Sequence, residues 1–251
     1  MILDLPNHND LVRPCDIKGI LHAHSRWTDG AHSLASMVET AREIGLEYLG
    51  ISDHFLSPTH QEGLDLDAAR IQLAEIQRLR EQYPDFDILQ GIEFDAGPDG
   101  ELPQNDDVLR QFDYVIVSFP ENGGYDPETF TEQVVKAARH PRVTILSHPL
   151  GDLMLRRQNG VLDMDRVLGA AAEGRTVLEV TSNPTCSELD WNHCRRAQEL
   201  GVLMTISPNA HRAARLVDYR HGAERAREAG LYCRSVLNTL DSRQLRKYLA
   251  G

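Results

Sequence analysis

The chain has 251 residues, 41% hydrophobic and 25% charged, the composition of a folded protein with a sizeable core. It holds no run of about 18 apolar residues, which excludes a transmembrane helix. Lys and Arg total 26 against 38 Asp and Glu, and the net charge of −12 disfavours a long nucleic-acid footprint, though not a local basic patch. The first residues, MILDLPNHNDLVRPCDIKGI, lack the basic start and apolar core of a secretory leader, so the expected location is the cytoplasm, with no membrane partner. Cys15, Cys186, Cys194 and Cys233 show no C-x-x-C spacing and read as free thiols.

Short apolar runs alternate with amphipathic segments, without repeats or low-complexity stretches. A strand is expected over Gly19–His22. Leu34, Met37, Val38, Ala41 and Ile44 then recur at helical spacing, stopped by Gly45. A strand over Tyr48–Ser52 precedes a helix carrying Leu73, Ile76 and Leu79. Strands follow over Ile88–Glu93 and Tyr114–Ser118, then a helix through Val134, Val135 and Ala138. Val143–Ser147, Val177–Val180 and Val202–Ile206 complete the strands. Later helices are expected over Met164–Ala172, Ser187–Leu200, Ala213–Ala229 and Ser242–Leu249. Most of the strand runs are rich in Val, Ile and Leu, as in strands covered on both faces. Seven strand-then-helix units imply an α/β protein, a parallel barrel of about seven strands in one domain over residues 1–251. A doubly wound open sheet is the alternative.

The chemistry-bearing residues gather at strand ends, where a parallel α/β protein places its active site. The first strand ends Leu21-His22-Ala23-His24. Histidines two apart on a strand point to one face and suit a divalent ion. The second ends in Asp53-His54, the third in Glu93 and the fifth in His148. The seventh runs into Ser207-Pro208-Asn209-Ala210-His211, and Asp29 lies in the first loop. Asp53 alternates with His54 along the strand and reads as an orienting residue rather than a ligand. A lone strand-end histidine is more often structural. Five of them with two carboxylates at one end of successive strands point to metal binding.

These stretches resemble the polymerase-and-histidinol-phosphatase (PHP) family of metal-dependent phosphoesterases. The likeness is carried by LHAHSRWTDG, GLEYLGISDH, LQGIEFD, ILSHPLG and SPNAH, and runs from Gly19 to about Leu249. Within the family, DGELP, SHPLGDLMLRR, LEVTSNP and VLNT resemble the PHP domain of bacterial X-family DNA polymerases. The resemblance implies a distorted seven-stranded (β/α) barrel, TIM-like, with up to three divalent ions (Zn, Mn or Fe). It implies His22 and His24 as ligands of the first, Glu93 bridging first and second, His148 on the second, and Asp29, His54 and His211 on the third. Two positions depart from the pattern. Pro120 stands where the family has a histidine ligand, and Asn209 where it has an aspartate. An amide oxygen can still bind a hard cation but brings no charge. The expectation is a weakened second site, with one or two ions held firmly. Glu121 is a candidate substitute ligand.

The implied activity is hydrolysis of a phosphate ester of a small molecule by attack of a metal-bound hydroxide. Arg156, Arg157 and Arg212 are placed to clamp the phosphate, and the loop Glu121-Asn122-Gly123-Gly124-Tyr125 to form part of the rim. Two alternatives stand beside this reading. One is a nuclease or 3′-end processing enzyme. The other is a metal- or ligand-binding module whose catalysis decayed with Pro120 and Asn209.

Overall fold

The structure, a computed structural model, describes residues 10–97, 99–102, 106–119, 127–147, 162–182 and 191–251. Seven strands lie in it: β1 (Gly19–Ile20), β2 (Tyr48–Ile51), β3 (Asp87–Asp95), β4 (Tyr114–Ser118), β5 (Ile145–Leu146), β6 (Val177–Thr181) and β7 (Met204–Ser207). They pair in parallel in sequence order, one sheet from β1 to β7. Helices cover the sheet: α1 (Leu34–Glu43), α2 (Leu66–Gln82), α3 (Asp106–Leu109), α4 (Pro127–Ala138), α5 (Met164–Gly174), α6 (Trp191–Glu199), α7 (Tyr219–Glu228) and α8 (Ser242–Leu249). No helix among the described residues is long and apolar enough to cross a membrane.

Local sequence explains the helix ends. The Ser33 side chain accepts the Ser36 N–H to start α1, and Asp65 and Asp163 cap α2 and α5 in the same way. Asp241 and Gln244 form a capping box on α8. Gly45, at φ +87°, ends α1 in the left-handed region. The continuous helix expected over Ala213–Ala229 is instead a 3-10 segment, Ala213–Asp218, followed by α7. The strands expected over Gly19–His22 and Val143–Ser147 pair over two residues each. Cys15 and Cys233 are free thiols and Cys194 is buried in α6; Cys186 lies outside the described residues.

The sheet closes on itself, which settles barrel against open sheet. Beyond β1 and β7 the chains meet in a parallel bridge between Ala23 and Ala210. The His24 N–H donates to the Ala210 carbonyl at 2.9 Å, and the Ala210 N–H to that of His22 at 3.3 Å. Lower down, the gap is filled by a side chain. The buried Asn238 amide donates to the carbonyls of Gly19 (2.9 Å) and Ile206 (2.7 Å) and accepts the Ile206 N–H (3.0 Å). Asn238 thus does there what a neighbouring strand's backbone would do. Asn238→Ala strands two carbonyls and an N–H. The expected loss is about 3 kcal/mol at about 1 kcal/mol or more per group, read as a lower urea midpoint. A loss below about 1 kcal/mol would mean that water replaces the amide.

Strand alternation sorts side chains into two layers. Leu49, Ile51, Ile88, Ile92, Val115, Val117, Leu178, Val180 and Ile206 face the helices in one large core. Tyr48, Leu89, Tyr114, Ile116, Ile145 and Val177 fill the barrel floor, where Leu237, Leu240 and Leu245 plug them from below. A side chain at Gly50 or Gly91 would collide with the Tyr114 ring, whose hydroxyl reaches across to the Leu21 carbonyl at 2.6 Å. Above this apolar floor the interior turns polar: Ser52, Glu93, Ser147, Glu179, Thr205 and Ser207 are all buried. Burying so many polar groups is costly unless they hold one another or a ligand.

Candidate metal centre

The polar upper interior converges on Glu93. This residue sits on the longest strand, two positions below its end, and bridges laterally to His54, three residues past the end of β2. One carboxylate oxygen of Glu93 lies 3.0 Å from His22 Nε2, 3.4 Å from His24 Nε2 and 3.4 Å from His54 Nδ1. Asp29 reaches the other side of the histidines. It lies 2.9 Å from His211 Nε2, 3.6 Å from His24 Nδ1 and 3.7 Å from His54 Nε2. Two groups with metal-binding donor spacing result: His22, His24 and Glu93, fully buried, and His24, Asp29, His54 and His211, open to solvent at Asp29 and His211.

The titratable groups of the site shift one another strongly. Burial alone would raise the Glu93 carboxyl, but His22, His54 and His24 bring it well below the ordinary range. Burial opposes charge on His22, yet Glu179 and Glu93 outweigh it and push the ring up to about 10. Burial holds His24 well below its ordinary value, with the neighbouring imidazoles acting in the same direction. Both ring nitrogens of His24 and Nδ1 of His54 are buried without a hydrogen-bond partner among the described residues. Divalent ions would satisfy these orphaned donor atoms. Imidazoles with carboxylates suit zinc, manganese or iron better than calcium.

The surrounding residues set the geometry. Asp53 accepts from the Ser25 N–H (2.7 Å), the Ser25 hydroxyl (2.6 Å), Thr28 (2.7 Å) and the Gln72 amide (2.7 Å). That carboxyl, raised to about 6 by burial against the pull of those donors, ties down the loop that carries Asp29. Gly30 closes the loop: a Cβ there would lie 2.5 Å from the His24 carbonyl oxygen. Asn209 adopts φ +47°, a left-handed conformation that asparagine tolerates. There its backbone carbonyl accepts from His211 Nδ1 at 3.0 Å, which leaves Nε2 facing Asp29.

Six of the ligand positions expected from sequence are therefore within reach of one another: His22, His24, Asp29, His54, Glu93 and His211. Asn209 joins them through its backbone. Arg212 is exposed and follows His211 into the 3-10 segment. His148, Pro120, Glu121, the loop from Glu121 to Tyr125, Arg156 and Arg157 lie outside the described residues. Glu179 was not anticipated. Its carboxylate lies 2.8 and 3.0 Å from His22 Nδ1 and accepts the Ser147 hydroxyl at 2.9 Å. The available signal was an acidic residue inside the apolar run Val177–Val180, since a buried strand carboxylate needs a partner.

No family model matches the chain. It is 33% identical over 240 residues to the DNA polymerase/3'-5' exonuclease PolX of Bacillus subtilis (strain 168), a match covering 96% of this chain. The chain spans 42% of that protein's length. It is 24% identical over 246 residues to a probable phosphatase of Thermoanaerobacter sp. (strain X514), covering 93% of this chain and 95% of the relative. Its fold matches the crystal structure of histidinol phosphate phosphatase from Lactococcus lactis complexed with zinc, L-histidinol and phosphate. That match has a TM-score of 0.60 at 17% identity, over 83% of this chain and 93% of the other.

Proposed function

We propose that the chain belongs to the polymerase-and-histidinol-phosphatase family, which its similarity to PolX, to a probable phosphatase and to the histidinol phosphate phosphatase fold supports, and that it is a metal-dependent phosphoesterase that hydrolyses a phosphate ester of a small molecule at the barrel mouth. The chain is a hydrolase, and the observation that carries the finer reading is the convergence of three imidazoles on one Glu93 oxygen. His22, His24 and Glu93 would hold an inner ion, and Asp29, His54 and His211, beside His24, an outer one. His148 belongs to the same proposed set. Zinc, manganese and iron all suit these donors. Bound there, such ions supply Lewis acidity that activates water near neutral pH and offsets charge on phosphoryl oxygens. The protein's own groups do the positioning on which phosphoryl transfer depends. Glu179 turns His22 so that Nε2 faces the centre, Asp53 fixes the Asp29 loop, and the Tyr114 floor closes the barrel below. Arg212, with Arg156 and Arg157, is proposed to bind the phosphate as a bidentate donor.

A phosphodiester reading has its own support in the similarity to a polymerase/3'-5' exonuclease. Against it stands the net charge of −12. The expected result is hydrolysis of small phosphomonoesters with Mn²⁺ or Zn²⁺, lost on chelation and restored by the metal. Faster release of nucleotides from single-stranded DNA 3′ ends would reverse the ranking. Metal uptake without hydrolysis of either class would sink both readings.

A further inference from the structure

Beside the proposed centre lies a second polar group, formed by Ser57, Thr59, His60, Asp95 and Ser118. Asp95 is two residues beyond Glu93 on β3 and therefore shares its face. One carboxylate oxygen accepts from the Ser57 hydroxyl (2.6 Å), from Thr59 and from His60 Nδ1 (2.9 Å). The other accepts from Ser118 (3.3 Å). The turn is further tied by the His60 N–H on Ser57 Oγ (3.0 Å) and the Gly63 N–H on the His60 carbonyl (3.0 Å). The segment from Phe55 to Leu64 is pinched shut by a bridge between those two residues. Gly63 is needed at the pinch, because a Cβ would lie 2.6 Å from the Leu56 nitrogen.

This framework lays the His60 ring flat on His54. Their centroids are 3.6 Å apart and the planes differ by 10°. His54 stacks in turn near His24, at 4.6 Å and 21°. His60 belongs to neither metal-binding group. We propose that His60, clamped by Asp95, is a positioning residue that fixes the plane of His54 and so tightens the outer metal position. Two features set this apart from ordinary packing. The partially exposed imidazole spends a hydrogen bond on orientation rather than on solvent. Three further hydroxyl donors then hold the same carboxylate in place. A partner that orients a metal-ligating histidine typically changes metal affinity by about 10–100-fold.

The inference rests on the metal reading above, so the experiment separates the two. Chelator-treated protein is titrated with Mn²⁺ and free ion is followed by electron paramagnetic resonance. In His60→Ala one Mn²⁺ step is expected to loosen by about tenfold or more, with the remaining uptake unchanged. His60→Phe, which keeps a flat ring, is expected to recover most of that affinity. Asp95→Asn is expected to fall between His60→Ala and wild type. Wild-type protein that takes up no Mn²⁺ would sink the metal reading and this one with it. Undiminished Mn²⁺ binding in His60→Ala would sink this inference alone. So would a rise in KM without loss of Mn²⁺, which would mark His60 as a substrate contact.

Discussion

Glu93→Gln is expected to remove metal uptake and hydrolysis together, with kcat/KM falling by about a hundredfold to a thousandfold, the scale of deleting one preorganised stabilising group. The substitution is nearly isosteric, so the barrel is expected to fold. What changes is the charge at the point where His22, His24 and His54 converge within 3.0 to 3.4 Å. An amide offers one weak donor oxygen and a competing N–H that faces those imidazoles. The same variant carries a stability signature in chelated protein. The wild-type Glu93 carboxyl is held below its ordinary range. Its contribution is therefore present above the unfolded glutamate pKa and lost as pH falls through the lower folded value. The acid-side slope of the urea midpoint is expected to flatten in Glu93→Gln. Metal content by elemental analysis and single-turnover rates check the first part. Full metal occupancy with intact rates would overturn the assignment of Glu93 to the centre.

What could be read from the residues differs sharply between layers of the molecule. Strands covered on both faces show themselves as apolar runs, so β2, β3, β4, β6 and β7 lie close to where the pattern of Val, Ile and Leu places them. Boundaries failed where tertiary contacts decide. Ala213–Asp218 carries helical composition, but it begins two residues after His211 at the barrel mouth and takes a 3-10 form there. Gly222 in α7 packs so close to Ser182 and Ile206 that a Cβ would clash. The barrel itself was expected from the seven strand-then-helix units and the family resemblance; the way its seam is filled was not, because Asn238 acts through a side chain on backbone groups of β1 and β7. The His-x-His pair, Asp29, His54 and His211 were legible because strand ends and family motifs place them. Glu179 and His60 were not. A residue that orients a ligand is defined by its partner, and Glu179 stands 157 positions from His22.

Glu179→Ala is expected to weaken metal binding by about 10–100-fold although Glu179 belongs to neither metal-binding group among the described residues. The reasoning starts from the two nitrogens of one ring. His22 Nδ1 donates to Glu179 at 2.8 Å, and this leaves Nε2 to face the centre, where it would coordinate a bound ion. Without the carboxylate the buried ring loses its fixed tautomer, and the Ser147 hydroxyl loses its acceptor. The negative charge also raises the basicity of the ligand nitrogen, so an uncharged replacement should restore orientation but only part of the affinity. Glu179→Gln is accordingly expected to fall between wild type and alanine, since its amide oxygen can accept the Nδ1 proton. Titration of both variants with Zn²⁺, alongside their thermal midpoints, distinguishes this from general damage to the barrel. If glutamine and alanine bind Zn²⁺ as tightly as wild type, the Glu179 contact is only a buried-charge pairing. His22 would then owe its orientation to packing alone.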